Sequence, residues 1–112
     1  MITVVETPTF LKDVKRANLD EDEHSELINF LASNPKVGAV LEGTGGVRKV
    51  RFAAQGRGKS GGYRVVYYYH NDEIPLFALA LFAKNEKANL SKADRNELKA
   101  LMPQIVDVYK LR

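Results

Sequence analysis

Between Gly43 and Asn71 the chain carries six basic residues, Arg48, Lys49, Arg51, Arg57, Lys59 and Arg64, and no acid. Seven of its eight glycines fall in the same stretch. The other residues hold eleven Lys and Arg against fourteen Asp and Glu, so this segment accounts for the whole net charge of +3. Cations neutralise phosphates and glycines let a backbone approach them, so the chemistry on offer is polyanion binding, with RNA the favoured ligand.

A strand over residues 47–53 would set Lys49 and Arg51 on one face and Arg48, Val50 and Phe52 on the other. Two cations about 7 Å apart on one face match successive backbone phosphates, given a rise of ~3.3 Å per residue. A solvated edge strand carrying protective lysines has the same pattern. The adjoining Gly56-Arg57-Gly58-Lys59 turn adds two cations beside that strand and favours the ligand. Arg64 lies in a run of β-forming residues, 63–69, where a cation needs a partner or a place at the rim. Either an acid such as Glu86 or Glu42 pairs with it, or its guanidinium grips a phosphate through two parallel hydrogen bonds. Both readings stand on composition alone.

Tyr63, Tyr67, Tyr68 and Tyr69 offer stacking surfaces for bases, although such tyrosines are more often core residues with a wet hydroxyl. His70, at a strand end, has the chemistry of an acid or base near neutral pH, or a structural role. His24, on an acidic helix, reads as incidental. Gly43-Thr44-Gly45-Gly46 lacks the lysine and spacing of a phosphate-binding loop and precedes a strand, not a helix. With two distant histidines and no cysteine, neither a metal site nor a disulfide is expected. No Ser-His-Asp set is evident.

The elements that must position these residues follow from periodicity. Residues 2–6 read as a strand, and Pro8 opens a helix through about Arg16. Asp20 and Glu23 have capping-box spacing for a second helix, with Leu27, Ile28, Phe30 and Leu31 as its apolar stripe and Asn34-Pro35 as its stop. Strands over 47–53, 63–70 and 76–83, joined by short turns, predict an antiparallel meander. Ser91 to Asp94 resembles a third cap, and Pro103 predicts a kink or two short helices after it. The order β-α-α-β-β-β-α defines an α+β domain with N-terminal helices and a C-terminal helix on a small antiparallel sheet.

With 112 residues, 45% of them hydrophobic, the chain suits one domain spanning 1–112 with a real core. The first residues lack the basic and apolar regions of a secretory signal, and the longest apolar run, 74–83, is far too short to span a bilayer. The expected location is the cytoplasm, with no membrane partner.

Three stretches together carry a resemblance. Gly43-Thr44-Gly45-Gly46-Val47-Arg48-Lys49-Val50-Arg51, the run from Gly56 to Tyr68 with its Gly-Gly-Tyr-Arg-Val-Val-Tyr core, and Lys84-Asn85-Glu86-Lys87 resemble the RelE/HigB family of bacterial toxins. These are the toxin halves of type II toxin–antitoxin modules. The resemblance is strongest over residues 43–90. It implies a curved antiparallel sheet with a basic concave surface, cleavage of messenger RNA in the ribosomal A site, and neutralisation by a cognate antitoxin, in some cases of helix-turn-helix type. By position it puts Lys49 and Arg51 against RNA, Arg64 on the scissile phosphate, and Lys84 and Lys87 as further cations after the last strand. The chain departs from the family's best-known members at Asn85, where they have an arginine, and at Leu90-Ser91, near which they have a tyrosine.

The expected chemistry is attack by the RNA 2′-hydroxyl on the adjacent phosphorus, giving a 2′,3′-cyclic phosphate, with no cofactor and no metal required. Arg64 and Arg51 would stabilise the phosphoryl oxygens. Arginine stays protonated and is a poor base, whereas like charge around a lysine favours its neutral form. Lys49 is therefore the first candidate base and Lys59 the second. Arg48, Arg57, Tyr67, His70, Lys84 and Lys87 complete the expected substrate-binding set. A non-catalytic module binding RNA or an antitoxin is the alternative. A DNA-binding repressor is remote, since no helix-turn-helix is evident.

Overall fold

The computed structural model of the protein describes residues 1–53, 62–83, 86 and 90–110. Within them the order is β1 (Val4–Glu6), α1 (Pro8–Arg16), α2 (Glu21–Ser33), β2 (Ala39–Val40), β3 (Val47–Phe52), β4 (Tyr63–Tyr68), β5 (Leu76–Ala83) and α3 (Lys92–Lys110). The strands form one sheet in the order β1-β5-β4-β3-β2. The expected meander of β3, β4 and β5 is there, antiparallel throughout. Two edge strands extend it: β1 lies parallel to β5, and the two-residue β2 pairs with Arg48 and Lys49. So short a strand as β2 carries no period in the sequence from which to read it.

Local chemistry explains the helix boundaries. Thr7 caps α1, its hydroxyl accepting from the Phe10 N–H at 3.3 Å, and Asn18, at φ 58°, turns the chain out of that helix. Asp20 and Glu23 form the expected reciprocal box at the start of α2, at 2.8 and 3.3 Å. Ser91 and Asp94 do the same at the start of α3, at 3.0 and 3.1 Å. Of the two outcomes expected at Pro103, a kink or two short helices, the second does not occur, and α3 is a single 19-residue helix. Met102 and Val106 are buried on either side of the proline, so packing on the sheet holds the helix through one missing hydrogen bond.

The sheet buries both faces. Helices α1 and α2 cover one, where Phe10, Val14, Leu27 and Leu31 pack on Phe52, Val65, Tyr67, Leu76, Ala78 and Leu81. Helix α3 covers part of the other, where Met102 and Val106 meet Val47, Val66, Tyr68, Ile74 and Phe77. A bulge in β5, where Val66 opposes Ala80 and Tyr67 opposes Ala78, leaves Leu79 as an extra residue. It sends both Leu79 and Ala80 toward α3.

The connection from α2 to β2 is clamped from the sheet. The Tyr67 ring is fully buried, its hydroxyl donating to the Pro35 carbonyl at 2.9 Å and accepting from the Gly38 N–H at 2.8 Å. Gly38 is obligatory there, because a β-carbon would sit 2.8 Å from that hydroxyl and 3.0 Å from the Lys49 carbonyl. Tyr67→Phe is expected to cost about 1–3 kcal/mol at neutral pH, by leaving a buried N–H unpaired, as read from urea denaturation. Burial, the leading cause, raises the Tyr67 phenol above its ordinary value of 10.0, and the same direction holds for Tyr63 and Tyr68. A raised folded value stabilises the protein fully below pH 10, and that contribution is lost as pH rises past 10 and the unfolded phenols ionise. Wild-type stability should therefore fall above pH 10, with a shallower slope in Tyr67→Phe.

Candidate nucleic-acid interface

The pairing of β3 with β4 sets Arg51 directly opposite Arg64 and Lys49 opposite Val66. Directly opposed residues in an antiparallel pair project to the same side, with Cα atoms about 5 Å apart. Lys49, Arg51 and Arg64 thus share one face, and it is the face that α3 covers only further along, over Val47, Val66 and Tyr68. Arg51 is exposed, and Lys49 and Arg64 are half-buried. Beyond Lys49, β2 no longer flanks β3, and a cleft of about 590 Å³ runs from Arg51 to Phe30, Asn29 and Glu26 on α2. Three cations at neighbouring positions of two paired strands form a compact cationic cluster.

Three of the expected binding residues are not part of it. Arg48 points to the opposite face, where its guanidinium donates to the Lys36 and Gly38 carbonyls at 3.2 and 2.8 Å. It braces the loop that Tyr67, its partner in the register, holds from below. Tyr67 cannot stack on a base, because its ring is in the core. His70 is exposed, but it follows β4 at the far end, six residues from Arg64, or about 20 Å at ~3.3 Å per residue. Its ring lies against Tyr68, whose hydroxyl is 3.2 Å from Nδ1. That distance rules it out as an acid at a phosphate held by Arg64.

Tyr63, Tyr68 and Tyr69 also stay away from that cluster. Tyr63 faces α2, where Glu23 and Asp20 add to the effect of burial on its phenol. Tyr68 lies under α3, and Tyr69 donates to Asp72 at 2.7 Å. His24, which reads as incidental in sequence, pairs its Nε2 with the Glu6 carboxylate and so ties α2 to β1. Arg57, Lys59, Lys84 and Lys87 lie outside the described residues. Glu86, one of the two acids considered for Arg64, accepts from Arg16 and from the Ala83 N–H.

The glycine-rich stretch gains a structural meaning as well. Gly43, Gly45 and Gly46 all have positive φ, and Gly45 backs onto the main chain of Lys99 in α3. Thr44, fully buried, accepts from the Val47 N–H and donates to the Leu41 carbonyl. This loop turns the chain into β3 beneath α3; nothing in it is shaped around a phosphate. Gly62, at φ 64°, would drive a β-carbon to 2.4 Å from the Phe52 carbonyl.

A small α+β protein with this strand order and a cationic strand pair defines a class, and comparison with known proteins identifies it. The family model described as the RelE toxin of the RelE/RelB toxin–antitoxin system matches residues 3–111. The chain belongs to the RelE toxin family. Among solved structures it is similar to a doubly substituted mutant of the E. coli toxin RelE in the free state, with a TM-score of 0.52 at 17% identity. That likeness covers 94% of this chain and 97% of the other and speaks to the fold alone. Among the described residues no helix is long and apolar enough to cross a membrane.

The two arginines of β3 should separate in experiment. Arg51→Ala and Lys49→Ala are expected to weaken single-stranded RNA binding, each flattening the slope of log K against log salt by about 0.7. Arg48→Ala should instead lower the melting temperature and leave that slope unchanged, as checked by anisotropy titrations and thermal melts.

Proposed function

We propose that this toxin is a ribosome-dependent endoribonuclease that cuts messenger RNA during translation in the cytoplasm. The observation that carries the reading is Arg51 set opposite Arg64 with Lys49 two residues away, in a chain of the RelE toxin family. The nucleophile is the RNA's own 2′-hydroxyl. Attack on the adjacent phosphorus expels the 5′-oxygen of the next nucleotide and leaves a 2′,3′-cyclic phosphate. The protein then has two tasks, to stabilise charge on the phosphoryl oxygens and to move protons.

Arg51 and Arg64, opposed across β3 and β4, perform the first as charge-assisted donors to the phosphoryl oxygens. Lys49, beside them on β3, is the candidate base for the 2′-hydroxyl, and Lys59 the second candidate. Arg57, Lys84 and Lys87 extend the grip along the RNA. Among the described residues neither His70 nor a tyrosine lies near enough to protonate the leaving oxygen. Such a site is slow on free RNA. The ribosome supplies what it lacks by holding the message in the orientation the attack requires. A cognate antitoxin is the partner, neutralising the toxin with an acidic segment laid over the cationic face.

The test is in vitro translation of a defined message with purified protein, mapping new RNA 5′ ends by primer extension. Wild type should cut only when ribosomes are present. Arg64→Ala should cut on the order of a hundredfold less or worse, the loss typical of a missing electrostatic donor. Absence of wild-type cuts despite confirmed ribosome binding would replace the enzyme with a non-catalytic binding module.

A further inference from the structure

Helix α1 delivers a charge network to the end of β5 that the proposed chemistry does not use. Asp13, only 8% exposed, sits on the core-facing side of α1 beside Phe10 and Val14. Its carboxylate accepts from the Leu81 N–H at 3.0 Å and from Arg16 Nη1 at 2.6 Å. Arg16 donates onward to the Leu81 carbonyl at 3.1 Å. The same guanidinium grips both oxygens of Glu86, through Nε at 3.1 Å and Nη2 at 3.2 Å. Glu86 also accepts from the Ala83 N–H at 2.8 Å. That bond and Arg16, in this order, hold its carboxyl below the usual carboxylate range.

The location gives this network its meaning. In the register Phe82 opposes Arg64 and Ala83 opposes Tyr63, so Glu86 lies at the same end of the sheet as Arg51 and Arg64. Bonded to Ala83, its carboxylate is roughly 10 Å from β4, about two strand spacings. That is about the Debye length at 0.1 M salt, so an unpaired charge there would be only partly screened from Arg64. It is the only acid between Glu73 and Asp94, and Lys84 and Lys87 flank it in sequence. An uncompensated anion there would compete with phosphates for the cations around it.

We infer that Arg16 is a positioning residue that withholds the Glu86 carboxylate from the RNA-binding face. The inference rests on the proposed function and adds to it the element that keeps the face electropositive. A cation on the opposite helical layer neutralises the local acid, and Asp13 fixes that cation in place.

The test compares wild type, Arg16→Gln and Arg16→Gln/Glu86→Gln in anisotropy titrations of a short fluorescein-labelled single-stranded RNA. Arg16→Gln removes the charge and keeps an N–H donor. Glu86→Gln keeps the acceptor for Ala83 and removes the anion. Arg16→Gln should bind about three- to tenfold more weakly at low salt, and the double variant should return to within about twofold of wild type. Both differences should vanish at about 0.5 M salt. A double variant as weak as Arg16→Gln would make the network merely structural and overturn the inference, as would an Arg16→Gln that binds like wild type. Should Arg16→Gln fail to fold, Arg16→Met, which keeps the aliphatic stem, takes its place under the same comparisons. A wild-type protein that binds no RNA at low salt would instead remove the functional reading itself.

Discussion

Side chains in a strand alternate with a period of two, so a slip of one residue between β3 and β4 would exchange the two faces of the strand that slips. With β4 held by β5, a slipped β3 would turn Lys49 and Arg51 into the core beneath α1 and α2 and Phe52 outward, leaving Arg64 on the other face. Lys49, Arg51 and Arg64 share one face only in the observed register. Both faces enforce it. Phe52, Val65 and Tyr67 are buried against Phe10, Leu27 and Leu31, while Val47, Val66 and Tyr68 are buried against Met102 and Val106. At about 1.5–3 kcal/mol for each large apolar side chain kept from water, a slipped register is far out of reach.

The same arrangement confines the cations to one place. Helix α3 shields the Val47–Tyr68 end of its face, and the bulge at Leu79 supplies the apolar residues that seat it. At the other end, where Arg51 opposes Arg64, the strands carry charge that no helix core has to accommodate. The edge of β5 past the end of β1 is closed differently. There Asp13 and Arg16 meet the N–H and C=O of Leu81 as a neighbouring strand would, so α1 completes the ladder with side chains.

The sequence revealed what is strongly periodic or chemically reciprocal. The meander is legible because β3, β4 and β5 are dense in β-forming residues, and the α2 start because Asp20 and Glu23 satisfy each other's backbone. What escaped depends on contacts distant in sequence. Pro103 leaves open a division into two short helices, yet with Met102 and Val106 packed on the sheet α3 runs on as one helix. The parallel pairing of β1 joins Val4 to Leu76, a partner no local pattern indicates. The Asp13 network did leave a signal, an acid three residues after Phe10 on the apolar stripe of α1. A carboxylate in that position must find donors, and here it finds Leu81 and Arg16.

The arginines show where a reading from composition stops. Arg48 and Arg51 lie in one strand, in a segment without acids, and composition treats them alike. Strand alternation separates them, and hydrogen bonding then gives Arg48 its task. Arg48 spends its guanidinium on the carbonyls of Lys36 and Gly38, satisfying a loop between α2 and β2 whose polar groups would otherwise be stranded beside the core. Arg16, on an unremarkable helix with no place in the basic segment, reaches the end of the sheet where Arg51 and Arg64 lie. Charge density in the sequence located the strands that carry the cations. Which cations act on a ligand, and which hold the fold that presents them, is decided by the carbonyls and carboxylates within reach of each guanidinium.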